Sequence, residues 1–433
     1  MSTTRSDSNS SERAKGVLTD RNFVKLFVGQ TVSLVGTQIT IFTMPLVAVL
    51  ALRATVFQVG VLNALRLAPV VVVALFAGVW LDRTRRRPVL IVCALCSSLL
   101  IGLVPAGASD GFLSIWLLYG VAVLVGGLNV VFDIGILSYV PNLVEQDCLP
   151  EANGKLQASL AVAGIAGPAA AGFLVGVLTA PITLSLDAVS YLLVALGLIT
   201  IRKSEPKPEI PQARASVRRQ IAEGFHAVYG SKLLSALLTQ TAVLNLSYGM
   251  FWTLFVVYAV RLLGLTPLKL GFVTGAGSVG ALLGALLAVW LRNKLGLGRA
   301  LAAATVGSSA PLLLVILPRN ASLLAISTFM AAMLIYGFNV ANLNVNGITI
   351  RQIITPKRLL ARMNATYRML LFGAPPAGSL LGGLLGSIMG LRPALLTALV
   401  TMTTPLLWLF FSPIFRLRDM PTGPDENLSA RTT

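Results

Sequence analysis

One stretch decides the fold: Asp82-Arg-Thr-Arg-Arg-Arg-Pro88-Val-Leu-Ile-Val-Cys-Ala-Leu-Cys-Ser-Ser-Leu-Leu-Ile-Gly-Leu-Val-Pro105. An arginine cluster is followed by a run, 88–105, that carries no charged side chain. As a helix this run is about 27 Å long, close to the ~30 Å hydrocarbon core of a bilayer. Hydrocarbon offers a backbone no water to bond, and a helix satisfies its own N–H and C=O groups within one segment. The arginines at one end resist entering lipid and so set which way the helix points.

Working outward, such runs recur along nearly the whole chain. Apolar spans are expected near 23–51, 56–81, 88–105, 112–137, 156–178, 182–201, 233–260, 268–291, 300–317, 323–347, 363–389 and 393–412. The 433 residues are 55% hydrophobic and 12% charged, with a mean hydropathy of +0.82. Water-soluble chains carry about 25% charged residues, so a soluble enzyme or binding domain is excluded. The sequence predicts an all-α integral membrane protein with twelve transmembrane helices. Its 39 glycines suit helices that approach closely in lipid. Cys93 and Cys96 share one apolar span and Cys148 sits in a polar loop, which makes no disulfide framework.

The net charge of +18 would ordinarily point to a nucleic-acid partner. Its distribution gives a different cause. With the N-terminus in the cytoplasm and sides alternating, only Arg53, Arg261, Lys269, Arg319 and Arg392 of the 34 Lys and Arg fall outside. Arg66 and Arg368 fall within spans, and all the others lie on the cytoplasmic side. This is the positive-inside bias. It predicts a multi-pass protein of the cell membrane with both termini cytoplasmic and no nucleic-acid partner.

Residues 1–21 form a polar, Ser-rich tail without the apolar core and cleavage site of a signal peptide, and 414–433 form a second cytoplasmic tail. A long connection, 202–232, separates six spans at 22–201 from six at 233–413. Pro206, Pro208 and Pro211 keep its first part from being helical throughout. Its second part, 214–229, suits a basic amphipathic helix on the inner membrane surface. His226, the only histidine, is read there as a surface residue. The halves share residues at a nearly constant offset. Val79-Trp80-Leu81 recurs as Val289-Trp290-Leu291, and Gly127, Asn129 and Val130 recur as Gly337, Asn339 and Val340. Asn153, Gly167 and Gly172 recur as Asn364, Gly378 and Gly383. Parallel six-span repeats with a site at the midplane between them are the architecture of the major facilitator superfamily.

Gly78-Val-Trp-Leu-Asp82-Arg83-Thr-Arg85-Arg86-Arg87 resembles the signature loop of that superfamily, with Gly78, Asp82, Arg83, Arg86 and Arg87 in register. The resemblance implies a latch on the cytoplasmic side, with Asp82 on the positive end of a helix in the other half. Gly154, Gly164, Gly167, Pro168 and Gly172 resemble the superfamily's exporter motif in the fifth span. There a proline kinks the helix and small neighbours let the bend pack. Three further segments resemble the branch of macrolide and siderophore exporters: Leu26-Phe27-Val28-Gly29-Gln30, the run from Phe132-Asp133 to Ala152-Asn153, and Leu186-Asp187-Ala188-Val189-Ser190-Tyr191. Where that branch commonly has an acid in the first span, this chain has Thr37. Gly275-Ala-Gly277-Ser-Val-Gly280 matches a dinucleotide fingerprint, but it lies in an apolar span without a preceding strand and reads as helix packing.

Polar residues within spans are costly and tend to face a cavity or bond between helices. Gln30, Ser33 and Thr37 share one helical face with Thr40, and Asn129 shares one with Gly126 and Asp133. Thr241, Asn245, Tyr248 and Trp252 do the same in the seventh span, as do Asn339, Asn342 and Asn346 in the tenth. In the superfamily these four helices line the central cavity. Of 16 Asp and Glu, only Asp133 and Asp187 fall well inside spans. They are the candidates for proton coupling, Asp133 also for pairing with Arg83 or Arg86. Asp187 lies ~9 Å below the outer end of its span and Arg66 ~24 Å from the inner end of its own. At that similar depth Arg66 is expected to be neutralised by Asp187 or by an anionic substrate.

The resemblance implies a secondary exporter of small amphiphilic molecules, such as an antibiotic, drug or other natural product, working by alternating access and proton antiport. Its expected partners are a small-molecule substrate, protons and the bilayer, with a monomer sufficient and no cofactor, metal site or catalytic residue. A facilitator or importer of a small metabolite is the alternative. A membrane-embedded enzyme or channel is disfavoured, because the spans hold no histidine, two well-buried acids and no P-loop.

Overall fold

A computed structural model describes residues 17–81, 83–203, 205, 226, 228–356 and 359–411. Every regular element among them is helical. The first span runs Arg21–Leu46 and ends in a π-helical turn, Val47–Ala51; the second is two segments, Val56–Leu67 and Pro69–Leu81. The third to sixth are Arg86–Asp110, Ile115–Leu143, Leu149–Leu178 and Ala180–Ile199. The seventh, Lys232–Val257, again ends in a π-helical turn, Tyr258–Leu262. Pro267–Leu295 follows, then Leu297–Ser309 continued by the 3-10 stretch Ala310–Ile316, Leu323–Ile354, Leu360–Ile388 and Leu391–Phe411. Eleven of the described helices are long and apolar enough to cross a membrane. The twelfth span, Leu391–Phe411, is a further apolar helix of 21 residues. The basic helix expected at 214–229 lies largely outside the described residues, as do both tails.

Short polar side chains start the spans. Asp20, Thr55, Ser114, Ser231, Thr266 and Ser322 each accept a backbone N–H from the first turn, and Thr55 with Gln58 closes a reciprocal capping box. Each such cap is worth ~1 kcal/mol. Pro69 explains the break in the second span, which the sequence reading took as one helix. Proline has no N–H for the carbonyl of Leu65, so the helix stops at Leu67 and restarts with the Val71 N–H on the Ala68 carbonyl at 3.1 Å.

The repeat is carried by the backbone as well as by identities. The two π-helical turns stand 211 residues apart, and in each a backbone bond closes over it: Ala54 to Ala48 at 2.8 Å, and Leu265 to Ala259 at 2.9 Å. The next span then opens on a threonine cap, Thr55 or Thr266.

Helices within each half pack closely. In the first half the first and sixth spans pair, as do the third with the sixth and the fourth with the third. In the second, the eighth and tenth spans touch backbone to backbone at Gly280 and Gly337, which accounts for Gly277 and Gly280, while Gly275 faces Ile165 of the fifth span. Apolar side chains cover the outside; Phe76 is 69% exposed and Trp116 77%. An apolar surface of this extent belongs in lipid.

The halves meet through the fifth span against the eighth and the second against the eleventh. Both contacts are concentrated at the end of the bundle away from the 202–232 linker. There Gly60 abuts Ser379 and Gly383, Gly172 abuts the Pro267 carbonyl, and Gly271 abuts the Pro168 carbonyl. The Arg261 guanidinium donates to the Ala54 carbonyl at 2.6 Å. Toward the linker end the same helices part: the eleventh span packs along Val56–Leu67 but barely meets Pro69–Leu81. The structure is closed at the far end and open toward the linker.

Candidate functional site

Two adjoining cavities occupy the space below the closed end. The larger, about 400 Å³, lies among the seventh, eighth, tenth and eleventh spans; the smaller, about 190 Å³, lies between the halves. Tyr248, Trp252, Thr274 and Ser278 line both. Asn63 donates to the Thr253 hydroxyl at 3.2 Å across the two halves, one helical turn outward of Arg66. Tyr248 stacks on Tyr336 with ring centroids 5.6 Å apart and planes within 4°, and on Trp252 at 6.1 Å. The result is an aromatic wall shared by the two chambers.

Their charge is one-sided. Arg66 lines the smaller chamber and Arg351 the larger, and among the described residues no Asp or Glu lines either. The Arg351 guanidinium lies 3.8 Å over the Tyr367 ring and gives its Nε to the Gly347 carbonyl at 3.2 Å. Tyr367 is itself fixed, with its hydroxyl on the Leu237 carbonyl and 3.1 Å from the Thr241 hydroxyl. Arg66 is different: its Nε is buried without a partner, and it forms no hydrogen bond or ion pair among the described residues. The expected pairing with Asp187 does not form. Asp187 is turned into the first half, where Thr40 and Ser190 donate to its carboxylate and it is 1% exposed. Arg66 sits at the break before Pro69, facing the other half.

Beside Asp187 a second set of polar groups ties three spans together. Tyr191 donates to the Asn129 side-chain carbonyl at 2.6 Å, and its oxygen is 3.3 Å from the Thr37 hydroxyl. Among the described residues, no three His, Cys, Asp or Glu side chains gather as a metal site would require.

The sequence matches the family described as transmembrane secretion effector over residues 16–430. The chain belongs to that family. No curated protein matches it. Among solved structures, a mutant of the nucleoside transporter NupG superposes with a TM-score of 0.74 at 12% identity, covering 90% of this chain and 99% of that one. A bacterial homologue of the iron transporter ferroportin superposes with 0.70 in its inward-facing state, at 18% identity, and with 0.56 in its outward-facing state, at 17%. Both comparisons cover 90% of this chain and 98% of that one. At such identities the likeness is one of fold, and the fold is that of a major facilitator transporter.

In this secretion-effector transporter, the residues expected to form a latch hold their own half together. Asp82 lies outside the described residues. The backbone N–H groups of Arg86 and Arg87 donate to the Glu205 carboxylate at 2.8 and 3.1 Å, and the Arg86 guanidinium is 3.8 Å from it. A carboxylate there complements the positive start of the third span. Arg87 donates to the Leu198 and Ile199 carbonyls at 2.9 and 2.8 Å, closing the end of the sixth span. Because Glu205 holds Arg86, the expected partnership with Asp133 is not made; Asp133 and Arg83 are both exposed and in no ion pair among the described residues. Of the fifth-span residues that resemble an exporter motif, Gly167 meets the Gln38 side chain and Gly172 the eighth span, the Pro168 carbonyl lies against Gly271, Gly164 comes near Ser278, and Gly154 meets no neighbour within 4 Å.

The structure divides the polar residues singled out in the sequence. Thr241, Asn245, Tyr248 and Trp252 line the larger chamber together. Gln30, Ser33 and Thr37 line neither chamber; their face of the first span packs within the first half, and Gln38 on the adjacent face lines the smaller chamber instead. Asn342 and Asn346 are fully buried, the second donating to the first at 2.6 Å, while Asn339 lies against Gly307 of the ninth span. Tyr336, Asn344, Arg351 and Tyr367 line the larger chamber and were not foreseen. By sequence Arg351 counts among the cytoplasmic positive charges; the tenth helix continues to Ile354 and carries it on the chamber wall.

Proposed function

We propose that this transporter exports small amphiphilic molecules by alternating access, driven by protons entering in exchange. By the positive-inside count the linker end is cytoplasmic, so the conformation described is inward-facing and loads from the cytoplasm. The observation that carries the reading is the pair of chambers sealed outward by Asn63 and Thr253 and walled by aromatic rings. Such a site binds an apolar body through stacking and offers hydroxyl and amide groups for orientation.

Direction rests on the fifth-span resemblance to the superfamily's exporter motif and on the family's description as a secretion effector. Coupling rests on Asp187, a buried carboxylate that meets hydroxyls and no cation. The iron and nucleoside transporters it superposes on supply no substrate at these identities. A metal cation as cargo is disfavoured by a wall that holds two arginines and, among the described residues, no acid. The cell membrane, cytoplasmic termini and function as a monomer belong to the same proposal.

Whole-cell accumulation tests it. Cells expressing the chain should hold less of at least one amphiphilic fluorescent dye than cells lacking it, and the difference should vanish with a protonophore. Equal dye content across a broad panel would defeat the reading.

A further inference from the structure

Arg66 stands in the last turn of Val56–Leu67, at the point where Pro69 ends the helix. Span four closes on this break, with Gly126 against the Arg66 carbonyl, so the position is held by backbone packing. The side chain lines the smaller chamber beside Tyr248 and makes no bond to any described protein group. Ionisable groups within a membrane pair with one another or face a substrate pathway. Arg351, on the larger chamber, shows what compensation looks like: it has a carbonyl and a ring. Arg66 has neither, and it faces a cavity.

We propose that the chambers bind an amphiphilic organic anion, with its acidic group on Arg66 and a planar aromatic body against Tyr248, Tyr336 and Trp252. A guanidinium fork matches a carboxylate, sulfonate or phosphate through two parallel hydrogen bonds. The aromatic wall begins at Tyr248, which lines the same chamber as Arg66. Arg351 marks the approach from the linker end. It covers Tyr367, which meets Thr241, and Thr241 precedes Tyr248 by seven residues, or ~10 Å along the seventh span. An anion entering from the open end passes one arginine and reaches the other, in a wall whose described residues include no acid. The proposal rests on the reading that the two halves close around cargo here, and it narrows that cargo from amphiphiles in general to those with an acidic group.

The test uses two dyes with one aromatic frame, 8-anilinonaphthalene-1-sulfonate and N-phenyl-1-naphthylamine, which lacks the sulfonate. Full-length protein in zwitterionic lipid nanodiscs is titrated with each, empty nanodiscs are subtracted, and quenching of tryptophan emission gives the affinity. The sulfonate should bind about tenfold tighter than the neutral dye. Arg66→Gln should erase that preference while keeping neutral-dye binding, and Arg66→Lys should retain part of it. Equal affinities in the wild-type protein, which need no variant to fold, would overturn the proposal. So would a preference unchanged in Arg66→Gln, or no binding of either dye. Uptake by everted vesicles separates this from the transport reading. Gradient-driven accumulation of the neutral dye without a sulfonate preference keeps export and sinks the anion site. An Arg66-dependent preference without accumulation of either dye does the reverse.

Discussion

The Asn63 amide donates to the Thr253 hydroxyl at 3.2 Å, with both side chains buried and one supplied by each half of the molecule. This bond seals the far end just outside Arg66, and it has to break whenever that end opens. Thr253→Val keeps the shape and leaves the Asn63 donor unsatisfied, at a cost of ~1–3 kcal/mol to the closed arrangement. The closed population should fall accordingly. Spin labels at Phe57 and Leu384, exposed on the second and eleventh spans, report it as a shift to longer distances. An unchanged distance distribution would remove the seal from the account.

Gly271 lies against the Pro168 carbonyl where the fifth and eighth spans cross between halves. No side chain fits without moving a backbone. Gly271→Val should leave the protein in the membrane while holding the far end apart, and transport should drop by about tenfold or more, as expected of overpacking that costs ~1–3 kcal/mol. Transport at the wild-type rate would show that this crossing need not close.

Asp187 accepts from Thr40 and Ser190 and has no cationic neighbour in an ion pair among the described residues. Asp187→Asn preserves volume and keeps one hydroxyl donation, the other hydroxyl turning to accept from the amide N–H, but it cannot carry a proton. In proteoliposomes it should abolish uphill transport while leaving downhill exchange of substrate intact. Uphill transport that survives the substitution would move the proton site elsewhere, with Asp133 next in line.

Thr179 and Gly390 occupy equivalent points of the repeat, 211 residues apart, and share positive φ values of 80° and 85°. Thr179 also has ψ 157°, a region that glycine alone enters freely. Arg53 and Gly264 repeat the pattern at 50° and 70°. Thr179→Gly should relieve ~1–3 kcal/mol of strain, partly offset by ~1 kcal/mol from the freer unfolded chain. A raised midpoint of thermal unfolding is the expected result, with Gly390→Thr lowering it.

The spans were legible because a bilayer imposes a length and an apolar composition that can be read in one dimension. The repeat was legible in Asn153, Gly167 and Gly172 and their counterparts, but not in the paired π-helical turns, whose residues are ordinary apolar ones. The site was legible in part. Helical spacing puts Gln30, Ser33 and Thr37 on one face without saying what that face meets, and tertiary packing turned it inward. The same spacing in the seventh span led to the cavity wall. Pro69 was a visible signal for the break that presents Arg66, but a proline can also be absorbed within a membrane helix, as Pro168 is. Glu205 carried no signal, because its partners are the backbone N–H groups of a helix start far away in sequence.

Transport by purified protein in liposomes tests the central claim most directly. Proteoliposomes whose interior is acidic relative to the bath, with the linker end facing outward, are offered an aromatic sulfonate dye. The account predicts accumulation above the bath concentration that collapses with a protonophore and is absent in Asp187→Asn. Dye that only equilibrates across the membrane, at the same rate with or without the proton gradient, would contradict it.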